Sequence, residues 1–144
     1  MKNLILLWFL CLAVTACTDK NDPESLLKGT WKLISMQSAW TGEVSEGSDM
    51  FYSQTYQFNK DGTFTKTQRS EDGNFQASGT YTTEPTPPNE YPDVKFYLHL
   101  LYTAGDSIAG DCYGLEKELL LYKNNKNIRN TWGECDGSIL TYKK

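Results

Sequence analysis

The sequence predicts an all-β fold: a small antiparallel up-and-down β-barrel of eight or nine strands, entered through one short helical turn. Two observations carry this. From Trp31 onward, apolar and polar residues alternate with period two in short runs, as in half-buried strands. The runs are joined by turn signals such as Asp61-Gly62 and Asp72-Gly73 rather than by long crossovers.

The chain opens on an export pattern. Met1-Lys2-Asn3 is a short basic start, and Leu4 to Val14 is an apolar run. It falls short of the ~20 residues a spanning helix needs and matches a secretory signal segment. Val14-Thr15-Ala16-Cys17 resembles the lipobox of bacterial lipoproteins. That resemblance implies a chain cut before Cys17, acylated there (palmitate among the expected lipids) and held in the cell envelope, on the outer membrane. The membrane face stays open, and an ordinary signal peptide with a Cys at its cleavage site is the alternative. Residues 1–17 are thus the signal peptide, polar residues 18–25 a flexible tether, and residues 26–144 the barrel.

Lys2 is the only charge before Cys17, so 14 basic and 18 acidic side chains leave 13 and 18 in the mature chain, net −5. Such a domain repels polyphosphate, which argues against nucleic acid as a partner. Of four cysteines, Cys11 leaves with the leader and Cys17 takes the lipid. Export permits a disulfide between the remaining Cys112 and Cys135; two buried thiols are the alternative.

Strands are expected over Trp31–Met36, Gln54–Phe58, Thr63–Thr67, Phe75–Thr82, Val94–Tyr102, Ser107–Tyr113, Glu118–Tyr122, Ile128–Trp132 and Ile139–Tyr142. Thr41–Asp49 and the proline-rich Glu84–Pro92 are expected as loops. Val94, Phe96, Leu98, Leu100 and Tyr102 would face inward and His99 outward.

A helical turn, then Gly29-Thr30-Trp31-Lys32-Leu33, then a strand meander with Tyr56-Gln57-Phe58, Asp61-Gly62-Thr63-Phe64 and Gly79-Thr80-Tyr81, resembles the lipocalins. It more closely resembles the small lipocalin-like domains carried by many bacterial lipoproteins. The resemblance implies that Trp31 closes one barrel end with Arg129 over its ring, in a structural role. It also implies a mouth at the other end, near Trp40, Val44, Met50 and Tyr52. Phe58, Phe64, Tyr81, Phe96 and Leu98 would form the inner wall.

The implied function is non-catalytic binding of a small apolar or amphipathic ligand. The alternative is a filled barrel serving as a surface module for a protein or glycan, since eight strands leave an interior that side chains can fill. Catalysis finds little support. His99 is the sole histidine, and Cys-x-x-Cys, nucleophile-elbow and phosphate-loop motifs are missing. Neither a metal nor a cofactor is expected, because the Asp-Gly pairs lack calcium-loop spacing.

Overall fold

The computed structural model describes residues 22–144, apart from positions 88, 111, 113 and 115 and the side chain of Asp106. Cys17 and residues 18–21 of the tether lie outside the described residues.

The chain enters through α1 (Pro23–Leu27), whose first turn is capped by the Asp22 carboxylate accepting from the Ser25 N–H at 3.2 Å. Nine strands follow: β1 (Gly29–Gln37), β2 (Val44–Glu46), β3 (Tyr52–Phe58), β4 (Thr63–Ser70) and β5 (Gly73–Pro85). β6 (Val94–Ala104), β7 (Lys117–Lys123), β8 (Asn127–Asn130) and β9 (Ile139–Lys143) complete them. From β3 onward each strand pairs antiparallel with the next, and β9 pairs with β1, so eight strands close an up-and-down barrel.

β2 is the extra strand, and it lies within the expected Thr41–Asp49 loop. β3 pairs with β1 only over Gly29–Lys32, whereas β2 takes the same edge of β1 higher up, over Ser35–Gln37. The two short strands thus share one lane of the wall, interrupted by residues 47–51. In the other direction, the expected strand over Ser107–Tyr113 is absent among its described residues. A 3-10 turn over Asp106–Ile108 and a loop stand there instead. The apolar positions in that stretch are spent covering the barrel end rather than extending its wall.

Strand direction gives the barrel two distinct ends. Trp31, the β3–β4 turn, the β5–β6 loop and the C-terminus lie at one end. Trp40, the β4–β5 turn, the β6–β7 loop and the β8–β9 connection lie at the other. At the Trp31 end, α1 forms the cap: Leu27 is fully buried, and its carbonyl accepts from the Trp31 indole N–H at 2.7 Å.

The inner face is filled with rings. Phe58 lies parallel to Tyr56 with centroids 5.5 Å apart and meets Tyr81 edge-on. Phe96 stacks on Tyr122 at 4.5 Å, and Trp31 meets Tyr122 edge-on. Gly79 lets Phe64 and β6 close in, since a Cβ there would lie 2.0 Å from the Leu101 carbonyl oxygen.

One expected inward residue departs. A register shift between Val94 and Phe96 turns Val94 out to a small outer cluster with Tyr97 and Leu121. Phe96, Leu98, Leu100 and Tyr102 do face inward.

Candidate functional site

Alternation along β4 carries Phe64, Lys66 and Gln68 to the inner face in turn, and along β7 it carries Glu118, Leu120 and Tyr122. Lys66 and Glu118 therefore meet inside the barrel, both side chains fully buried. The Lys66 Nζ sits 3.1 Å from Glu118 Oε2 and 3.4 Å from Oε1. Two charges removed from water need further partners, and they have them. Glu118 Oε2 accepts from the hydroxyls of Tyr56 (2.7 Å) and Tyr102, while the Lys66 ammonium lies 4.9 Å from the centroid of the Tyr56 ring.

A second chain of hydrogen bonds runs beside the first. The Tyr142 hydroxyl donates to Gln54 Oε1 at 2.6 Å, and Gln54 Nε2 donates to Gln68 Oε1 at 2.6 Å. Asn130, also buried, accepts from the Leu140 N–H and donates to the Ser138 carbonyl. Burial and the Glu118 charge hold the phenols of Tyr56, Tyr102 and Tyr142 well above their ordinary range, and push Tyr52 up to about 12. Burial also lowers Lys66. The phenols are thus neutral, and those of Tyr56 and Tyr102 donate to the one carboxylate.

Above this network, at the Trp40 end, lies a cavity of about 170 Å3. Tyr52, Gln54, Lys66 and Gln68 line one side, and Ser107 to Gly110, Trp132 and Leu140 the other. The covering loop sits close to the charges. A Cβ on Gly110 would lie 3.4 Å from Glu118 Oε1 and 3.2 Å from the Trp132 ring. Cys112 and Cys135 are joined as a disulfide, which ties this loop to the 3-10 turn over Trp132–Cys135 that supplies Trp132.

The structure separates the expected ligand residues into three groups. Phe58, Phe64, Tyr81, Phe96 and Leu98 face inward, but they pack against other side chains below the cavity and do not line it. Of the expected mouth residues, Tyr52 lines the cavity and Met50 packs half-buried against the core. Trp40 (78% exposed) and Val44 (57%) point to solvent at the same end, joined by Phe51 (82%). Trp40 is steadied by its indole N–H donating to the Asp136 carbonyl at 3.2 Å.

Arg129 is not the cation over Trp31. It stands on β8 between inward-facing Ile128 and Asn130, on the outer side of the wall, whereas Trp31 is buried inside. Lys144 takes that place, with its Nζ 5.9 Å from the Trp31 ring centroid and donating to the Leu26 carbonyl at 3.2 Å. The last residue of the chain can reach the ring because β9 ends beside the start of β1.

His99 is on the outer wall, 2.9 Å from Glu84 and beside a groove of about 350 Å3 over β5 and β6. Among the described residues, no three His, Cys, Asp or Glu side chains cluster as a metal site would require, and no helix is long and apolar enough to cross a membrane. Comparison with protein-family profiles, with curated proteins and with solved structures finds no match for this chain.

Proposed function

We propose that this is a non-catalytic, lipocalin-like barrel that binds a small amphipathic molecule, tethered to the cell envelope through lipid on Cys17. The observation that carries the ligand reading is the cavity of about 170 Å3 between a polar wall and an apolar one. A volume near 150 Å3 admits one benzene-sized ring, so a long acyl chain is outside its reach. Aromatic side chains occupy the interior beneath it, which favours an occupant confined to the Trp40 end. The tether reading rests on the leader and Val14-Thr15-Ala16-Cys17. Because α1 caps the Trp31 end, a tether entering there would leave the cavity facing away from the membrane.

The test is native mass spectrometry of the purified full-length protein after exposure to a small-molecule extract of its host. A discrete adduct that disappears when Ala109→Leu fills the cavity supports the reading. A bare protein, folded and indifferent to the extract, ends it.

A second reading draws on one specific observation: Trp40, Val44 and Phe51 stand exposed at the cavity end. A filled barrel acting as a surface module would bind its protein or glycan there. Affinity capture would then depend on Trp40 and Phe51 together and be indifferent to Ala109→Leu.

A further inference from the structure

We infer that the end cavity selects an uncharged, ring-sized molecule carrying a hydrogen-bond acceptor such as a carbonyl or amide oxygen. This rests on the ligand-binding reading above and names the chemistry it would take. The first argument is the direction of the hydrogen bonds. Gln54 spends its oxygen on Tyr142 and one N–H on Gln68, while Gln68 spends its oxygen on Gln54. What remains on the two amides is three N–H hydrogens, the second of Gln54 Nε2 and both of Gln68, against one spare lone pair on each oxygen, so donors predominate on this wall. Lys66 is fully buried, contacts Glu118 through Nζ, and is the one charged side chain among the described residues that line the cavity. The Tyr52 hydroxyl, protonated at neutral pH as any phenol is and pushed further up to about 12 by burial and Glu118, can donate as well. The polar wall offers donors and seeks an acceptor.

The second argument is charge. Lys66 is already neutralised by Glu118 at 3.1 Å, and that carboxylate takes two phenol hydrogens besides. An anionic ligand would add a negative charge beside a balanced pair. A neutral acceptor uses the same donors without that cost. The third is the opposite wall, where Ile108, Ala109, Trp132 and Leu140 supply apolar surface against which a ring can lie.

Benzamide and benzoate are probes of one size and two chemistries, and benzene is their shared ring without the polar group. Titration of each into the full-length protein, followed through the side-chain amide signals of Gln54 and Gln68 in a nitrogen–proton correlation spectrum, tests the inference. Benzamide is expected to shift both signals and to bind at least tenfold more tightly than benzoate or benzene. Gln68→Leu should weaken benzamide about tenfold and leave benzene unchanged. Lys66→Met/Glu118→Gln, which removes both charges together, should weaken benzamide while the dispersed backbone spectrum reports an intact barrel.

Benzoate binding more tightly than benzamide would overturn the neutral selection. Benzene equal to benzamide would overturn the role of the donors and leave a plain apolar cavity, so the ligand-binding reading would survive. If none of the three binds a folded protein, both fall.

Discussion

Lys66 and Glu118 are where the physical stakes of single residues are highest. Removing one partner leaves the other charged and buried, a loss of about 3–5 kcal/mol. Removing both is far milder, because Gln at 118 still accepts from Tyr56 and Tyr102. Urea unfolding should therefore show Lys66→Met strongly destabilised and Lys66→Met/Glu118→Gln close to wild type. Equal losses in the two would mean that the pair contributes no charge coupling.

The tyrosines set the alkaline limit. Tyr52, Tyr56, Tyr102 and Tyr142 all have values raised above the ordinary 10.0. Their contribution is complete below pH 10 and is lost as pH climbs toward the folded values, because the unfolded chain ionises first. Each takes away about 1.4 kcal/mol per pH unit in that window. Lys66, lowered by burial, acts in the opposite sense only up to about 10.5. Above pH 10.5 the four phenol protons lost on unfolding stand without that offset, which predicts cooperative unfolding there, with tyrosinate absorbance and loss of far-ultraviolet ellipticity rising together. Gradual tyrosinate formation in a folded protein would contradict the buried placement.

The charge pair was legible and was missed. Phe64, two residues before Lys66, is an evident core position, so strict alternation aims the lysine inward. The same rule links Glu118 to Leu120 and Tyr122. The habit of assigning lysine and glutamate to the surface hid a signal that period two already carried.

Among the elements, the cover loop between β6 and β7 carries the covalent restraint. The Cys112–Cys135 bond spans 23 residues, and on the chain-entropy model it contributes about 3 kcal/mol. Intact-mass analysis should find both thiols protected from alkylation until reductant is added. Reduction should lower the urea midpoint without abolishing the barrel, since closure runs through β1 and β9 rather than through this loop. Alkylation without reductant would show that the bond is absent in solution.

Most strands could be placed from alternation and Asp-Gly turns alone. What alternation could not supply was the pair of departures. Ile108 and Ala109 serve a cover instead of a wall, and β2 is three residues long, below what a period-two pattern can reveal. The Arg129 expectation failed for a related reason. Ile128 and Asn130 claim the inner face of β8, so Arg129 is turned outward by its own neighbours.

For the whole molecule, the barrel's asymmetry argues for an orientation. α1, Trp31 and Lys144 seal one end, and the chain enters there from its N-terminal side. The cavity and the exposed Trp40, Val44 and Phe51 crowd the other. A lipid on Cys17 would attach next to the sealed end, placing the polar cavity and the aromatic rim toward solvent. Two variants test this without touching the barrel. Cys17→Ser in the native leader should abolish incorporation of radiolabelled palmitate. Replacing residues 1–17 with an ordinary cleavable signal peptide should move the exported protein from the membrane to the soluble fraction with an unchanged unfolding midpoint. Persistent palmitate in Cys17→Ser, or membrane retention after the leader exchange, would place the anchor elsewhere. The solvent-facing rim would then lose its rationale, and Trp40 and Phe51 would have to be considered as membrane contacts themselves.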